Sequence, residues 1–354
     1  MNDKKIIMAG LANNKTSLGE VFRRYVDCFK TFSKPDVFDL QPFTKNQEFK
    51  LNLFPQYTGP INHDIKYFHS TFNLYRAIKE KTKPFPRSSD VKKIGYFVWE
   101  SSELHNQDAE VLKDFDEIWT ASNYCKDIFS QYIDSNLIKV VPHPIPIPAK
   151  LPKKYKNFTI LIMGNISSNV DRKNIVGNLE VAKIIKQKYK EVNVIFKTFT
   201  GSDKERDLLK QIIGDFKIKV IDEYYSSEKV QDLIGKCHVI LSLHRSEGFG
   251  LTLAEAMAIG TIPIATGYSG NIDFMKDQNS FSIDYKLIDV NVSHFKGQWA
   301  EPNKDDAVNK LDFCINNNIE LHSMQQNSSK FIIRNLSPRC ISDLLKKYYE
   351  SLFI

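Results

Sequence analysis

The sequence predicts an α/β protein built from two doubly wound parallel-sheet domains. Three observations carry that prediction. Short apolar runs alternate with amphipathic stretches up to residue 141, a proline-dense segment interrupts them, and the same alternation then begins again. In the first half, KKIIMAGLA, HDIKYFHST, KKIGYFVWE, FDEIWTAS and IKVVPHPI each have the length and apolar content of a strand, bounded by polar residues or proline. Stretches such as Gly19 to Phe32 and Asn123 to Tyr132 have helical spacing between them. Strands separated by helices pair in parallel, because the helix carries the chain back across the sheet. The segment PHPIPIPAKLPKK cannot continue a helix or a central strand, so the interdomain linker is expected near Pro142 to Lys153. After it, NFTILIMGN, VNVIFKTF, FKIKVID, CHVILSL and TIPIATG repeat the strand signal. A final helix is expected from Pro338 to Phe353, with Ile341, Leu344, Leu345, Tyr348 and Leu352 along one face. The domains are drawn at 1–148, 149–337 and 338–354.

At 354 residues the chain exceeds one ordinary core, and 42% hydrophobic with 26% charged residues is a globular balance. The N-terminus, MNDKKIIMAGLANN, turns polar too soon for a secretory signal, and no run approaches the roughly 20 apolar residues of a membrane span. A cytoplasmic protein is expected. Its five cysteines are odd in number and include no C-x-x-C pair, so neither a disulfide frame nor a zinc site is indicated. The net charge of +7 is concentrated most sharply in RAIKEKTKPFPRSSDVKK, residues 76–93. That segment reads either as a solvated helix end or as a peripheral contact with anionic lipid at the inner face of a membrane. No nucleic-acid motif accompanies the charge, so no nucleic-acid partner is expected.

Residues Cys237 to Gly260, CHVILSLHRSEGFGLTLAEAMAIG, are the most informative stretch. They read as a buried strand, a polar loop, and a helix whose small residues allow close packing on a sheet. The first amides of a helix have no partner within it, and the macrodipole adds positive charge, so a helix after Gly-x-Gly is an anion site. Glu247 precedes the glycines and Glu255 is expected in the first helical turn, on either side of that site. Carboxylates do not neutralise a phosphate. They accept hydrogen bonds from hydroxyls, and a diphosphate joining a ribose to a hexose has hydroxyls on both sides.

The run EGFGLTLAE resembles the Glu-x7-Glu motif of the retaining family-4 glycosyltransferases, which have the GT-B fold of two Rossmann-like domains facing a cleft. The resemblance implies that Glu247 meets the transferred sugar, Glu255 the ribose, and Phe249, Gly250, Leu251 and Thr252 the phosphates. It is strongest from Asn157 to about Asn335. It also implies that the last helix crosses back onto the first domain, and that an Arg and a Lys near the first strand of the second domain bind the diphosphate. VDRKN supplies Arg172 and Lys173 there, adjacent rather than several residues apart as is usual in that family. Lys197, at the end of VIFK, is a third candidate cation. GYSGNIDFM continues the motif, and GQWAEP is similar to a Trp-Ala-Glu-Pro element of a bacterial branch of the family.

The first domain is expected to serve the acceptor. His69 and Glu100 lie at the C-terminal ends of their strands, where open α/β sheets bind ligands. Glu100 is a candidate to orient an acceptor hydroxyl or to take its proton, and His69 is either a second such group or a structural histidine. Asp114-Phe115-Asp116 spells the D-x-D of metal-dependent GT-A transferases, but it precedes its strand and so reads as a solvated turn. No metal site and no cofactor are expected. The reading is a retaining hexosyltransferase moving a hexose from a nucleotide sugar, with UDP- or GDP-sugars foremost, to a saccharide, lipid-linked or protein-linked acceptor in cell-surface polysaccharide, glycolipid or glycoprotein synthesis. The alternatives are a GT-B nucleotide-sugar epimerase or a non-catalytic GT-B scaffold subunit.

Overall fold

The computed structural model describes residues 4–44, 50–59, 62–82, 91–166 and 170–352. The chain divides into two compact units. One comprises Met1–Pro144, Val292–Lys296 and Asn335–Ile354, and the other Ile145–Asn291 and Gly297–Arg334.

In the first unit the elements run β1 (Ile6–Gly10), α1 (Ser17–Phe29), β2 (Asp36–Asp39), β3 (Ile65–His69), α2 (Phe72–Thr82), β4 (Lys92–Tyr96), α3 (Asn106–Leu112), β5 (Glu117–Thr120), α4 (Asn123–Phe129) and β6 (Ile138–Val140). The six strands form one sheet in the order β2-β1-β3-β4-β5-β6, parallel throughout. Both faces are covered, as a parallel sheet requires. Phe68, Phe72, Phe97, Phe115 and Phe129 fill one face. Tyr25 and Phe29 of α1 pack with Tyr67, Tyr96 and Trp119 to form a second aromatic cluster. Helix α12 (Pro338–Ser351) belongs to this unit and lies along α1, where the Cys28 thiol meets the Pro338 carbonyl at 3.5 Å. Its start is set by Ser337, whose side chain accepts the Cys340 amide, with proline at the first helical position, where no donor is lost.

The second unit runs β7 (Thr159–Met163), α5 (Val170–Lys173), α6 (Ile175–Lys188), β8 (Asn193–Thr198), α7 (Asp203–Ile213), β9 (Lys219–Asp222), α8 (Ser227–Lys236), β10 (Val239–Ser242), α9 (Leu251–Ala258), β11 (Ile262–Thr266), β12 (Phe281–Ile283), β13 (Tyr285–Asp289), β14 (Gln298–Pro302), α10 (Lys304–Asn316) and α11 (Asn318–Asn335). Its main sheet has the order β12-β11-β10-β7-β8-β9, again parallel throughout. Ile160, Ile162, Phe196, Leu241 and Ile264 contribute to the core with Leu179 of α6 and Leu311 of α10. The strand order reverses at β7 and β10, and ligands of such sheets bind at the carboxyl ends next to that point. The HRSEGFG loop leaves the sheet there. The architecture is the predicted one, two doubly wound α/β domains.

Several details differ from the sequence reading. Strand β2 was not foreseen, nor was the stretch from β12 to β14, in which β13 and β14 form an antiparallel ladder with Ile288 opposite Trp299. Helices α1 and α4 each end three residues sooner than expected, at Phe29 and Phe129. The basic segment 76–93 lies partly outside the described residues. Of its described members, Arg76 pairs with Asp108 and Lys79 with Asp114. All five cysteines are free thiols, and burial pushes Cys237 and Cys314 up to about 12. Among the described residues no helix is long and apolar enough to cross a membrane.

Candidate active site

The turn between β10 and α9 needs its glycines. Gly250 has φ +90°, a left-handed conformation that side chains with a Cβ rarely adopt, and it caps α9. The second loop, after β11, presses against the first. A Cβ on Gly270 would stand 2.3 Å from the Gly248 carbonyl oxygen, so only glycine fits. The Gly270 amide donates to the Glu247 carbonyl at 2.8 Å, and the Glu247 amide donates to the Ser269 hydroxyl at 2.8 Å. The amides of Gly250, Leu251 and Thr252 donate to no partner among the described residues, while those of Leu253 and Ala254 turn back to the Gly250 carbonyl. The open amides are therefore at the helix mouth, where an anion is favoured.

Glu247 is buried beside two cations. Its carboxylate pairs with Lys173 and lies 3.4 Å from the Arg172 guanidinium, whose Nη1 donates to the Ser246 carbonyl at 2.6 Å. Burial alone would raise the Glu247 pKa, but the Lys173 and Arg172 charges outweigh it and hold the carboxyl well below the usual range. The group is ionised at neutral pH. Two cations against one carboxylate leave one positive charge in excess, beside the loop that leads into the α9 mouth with its unused amides.

With this geometry in view, the comparisons with known proteins are specific. The family of glycosyl transferases group 1 matches residues 146–331, more than half of the chain. The protein is a group 1 glycosyl transferase. The earlier resemblance to family 4 is corrected on that match, which supplies the group 1 designation for the same residues. An uncharacterized glycosyltransferase of Methanocaldococcus jannaschii is 24% identical over 266 residues, 70% of this chain and 67% of its own. Among solved structures, a glycosyltransferase from Rickettsia africae is similar with TM-score 0.70 and 16% identity over 100% of this chain and 99% of that one. HepE of Anabaena, solved with UDP-glucose, has TM-score 0.71 and 12% identity over 98% and 100%. TarM of S. aureus, solved with ligands that include UDP, has TM-score 0.60 and 14% identity over 81% of this chain, which spans about half of TarM's length, 54%. These likenesses show the fold that the group 1 glycosyl transferase adopts, the two-domain GT-B architecture.

The structure brings together Glu247, Arg172, Lys173 and the Phe249–Thr252 turn. Arg172 is buried in the short helix α5. Glu255 falls beyond the first turn of α9, which begins at Leu251, and is half-buried in the second. Lys197 is buried at the end of β8 and spends its ammonium on the carbonyls of Thr198 at 2.6 Å and Glu223 at 2.5 Å, 4.8 Å from the Tyr225 ring centre. In the other unit His69 is buried, stacked on Tyr96 at 4.4 Å, and its desolvated ring is lowered to about 3. Its Nε2 has no hydrogen-bond partner among the described residues. Glu100 is half-buried in the segment after β4. Asp116 accepts the Lys93 amide at 2.7 Å and Asp114 pairs with Lys79 at 2.6 Å, before β5.

Sequence reasoning missed the residues that hold the transferase loop in place. His244 is buried between the Ser242 hydroxyl at 3.1 Å and Asn271 Oδ1 at 2.9 Å, and Ser269 adopts φ +75° to reach the Glu247 amide. Asn178 of α6 accepts the Leu243 amide at 2.8 Å. Each is polar and fully buried, but nothing in a single sequence distinguishes such a residue from an exposed one.

Proposed function

We propose that the chain transfers a hexose from a nucleotide-diphosphate sugar to an acceptor hydroxyl, with retention of anomeric configuration and without a metal. The carrying observation is the ionised, buried Glu247 held between Arg172 and Lys173 at the open mouth of α9. The diphosphate takes the excess positive charge and the free amides of Gly250, Leu251 and Thr252, which stabilise the leaving group as its charge grows. Phe249 contributes the backbone of the same turn. Glu247 accepts hydroxyls of the transferred sugar and Glu255 those of the ribose. Lys197, already tied to backbone carbonyls, lines the nucleotide side without supplying a free charge.

Of the two acceptor-side candidates, Glu100 keeps partial exposure and His69 is sealed among aromatic rings, so the acceptor hydroxyl is assigned to Glu100. HepE and TarM were solved with UDP or a UDP-sugar, which supports a UDP-sugar as the first donor to try, with GDP-sugars second. The acceptor class is a saccharide, glycolipid or protein chain, and the reaction is placed on the cytoplasmic side of the cell. A scaffold subunit without activity would gain nothing from a buried cluster with a cation in excess, which costs desolvation to maintain.

The test is a thermal-shift and nucleotide-release screen over UDP-, GDP-, dTDP- and ADP-sugars, because a ligand that binds the native state raises its midpoint by mass action. One nucleotide class should stabilise the protein, and release should accelerate with acceptor. If none of the four shifts the midpoint at millimolar concentration, the donor assignment fails.

A further inference from the structure

The Trp299-Ala300-Glu301-Pro302 element has no part in the reaction as proposed, yet it is fastened to the site. Trp299 and Ala300 are buried in β14. The Ala300 amide donates to the Arg245 carbonyl at 2.9 Å, and Glu301 Oε2 accepts from Arg245 Nε at 2.6 Å. On its other side Arg245 reaches α5, the turn that carries both cations. Arg245 Nη1 donates to the Asp171 carbonyl at 2.6 Å and the Arg245 amide donates to the Arg172 carbonyl at 2.7 Å.

The last carbonyls of a helix lack partners within it, and a cation placed there satisfies them and complements the negative end of the dipole. Helix α5 has only four residues and is followed by Asn174 at φ +47°, so little of its own structure holds it. Arg245 adds to the hold that the Asn174 amide gives the Asp171 carbonyl at 3.1 Å and the Asn178 side chain gives the Lys173 carbonyl at 3.2 Å. Glu301 in turn fixes the direction of the guanidinium and balances its charge, so the α5 carbonyls are gripped without a further net charge beside Glu247.

We propose that Arg245, oriented by Glu301 of β14, is a positioning residue that holds Arg172 and Lys173 in register with Glu247 for a nucleoside diphosphate. The inference rests on the donor-site reading, since it concerns how that site's cations are held. It assigns the β13–β14 ladder a role in phosphate affinity, although none of its residues is proposed to touch the ligand.

The test is calorimetric titration of the full chain with UDP, with GDP in parallel and with uridine and guanosine as phosphate-free controls. Arg245→Gln should weaken the diphosphate about tenfold, Glu301→Gln about threefold, and Arg245→Lys should fall between them. Nucleoside binding should stay unchanged, which a general loosening of the fold would not allow. In a Lys173→Gln background the Arg245 and Glu301 substitutions should cost less than in the wild type, because part of their effect passes through that cation and the rest through Arg172. Thermal midpoints identify any variant that fails to fold, and Glu301→Gln, nearly isosteric, keeps the test standing in that event. If Lys173→Gln weakens the diphosphate but Glu301→Gln and both Arg245 variants bind as wild type, the positioning role is overturned and the donor site is not. Equal losses for nucleoside and diphosphate also overturn it. Failure of the wild-type protein to bind either diphosphate overturns both.

Discussion

His244 donates from Nε2 to Oδ1 of Asn271 at 2.9 Å, and Asn271 spends its own nitrogen on the Thr266 carbonyl, also at 2.9 Å. The two bonds together fix the tautomer. Asn271 can only accept from the ring, so Nε2 carries the proton and Nδ1 accepts from the Ser242 hydroxyl. Burial lowers the His244 pKa, and the neutral ring bolts the Glu247 loop to the loop after β11.

This network predicts that His244 stays neutral and Nε2-protonated at pH 6.5, where an exposed histidine is half charged. Nitrogen NMR of the imidazole checks it. Asn271→Leu should cost about 1–3 kcal/mol of stability, the penalty of a buried donor left without its acceptor. A midpoint unchanged in Asn271→Leu, or a charged His244 ring at pH 6.5, would refute the network.

Acid should destabilise the protein well before its carboxylates titrate. His69 is held down to about 3 and His238 to about 4, both by burial. A histidine depressed in the folded state takes up its proton first in the unfolded state. Its stabilisation is therefore complete above about pH 6.5 and is lost as pH falls toward the folded value. For His69 alone, moving from pH 6.5 to 5 should cost about 2 kcal/mol. His69→Gln should flatten the dependence of thermal midpoint on pH in that window, and an unchanged slope would count against the buried neutral ring.

Much of the fold could be read from the chain because β1, β7, β10 and β11 are nearly continuous apolar runs. The HRSEGFG loop was legible for a different reason, since Gly250 and Gly270 answer to backbone demands that no other residue meets. What stayed hidden depends on burial. Tyr285 to Asp289 alternates charge and bulk on a largely exposed strand, so it carries no core signal. The short α5 has no apolar period, so nothing in the chain marks Arg172 as buried. Glu255 was misplaced although the helix begins at Leu251 as expected, because the fifth residue of a helix lies past its first turn of 3.6 residues.

The paired charges predict opposite effects for the two sides of the Glu247–Lys173 contact. Lys173→Gln should weaken nucleoside diphosphate binding by about 1.5–3 kcal/mol through loss of a charge-assisted hydrogen bond. Glu247→Gln should lower turnover by about 100-fold or more while the bare diphosphate binds as tightly as before, because the cations lose a competing anion. Equal loss of diphosphate affinity in both variants would require the two roles to be merged.

Chelation should leave transfer intact. Asp116 and Asp114 are committed to the Lys93 amide and to Lys79 at the entry to β5, so Asp116→Asn should retain near wild-type transfer rates. Loss of activity in EDTA, restored by manganese, would return that pair to the active site.

The most direct measurement is a crystal structure of the protein with whichever nucleotide sugar raises its thermal midpoint most. The diphosphate should lie within hydrogen-bonding distance of Lys173 Nζ and of the Leu251 and Thr252 amides, with the ribose hydroxyls on Glu255 and the hexose against Glu247. A donor bound in the second unit with its diphosphate away from α5 and the mouth of α9 would rule out the assignment of Lys173 and the α9 amides to the diphosphate.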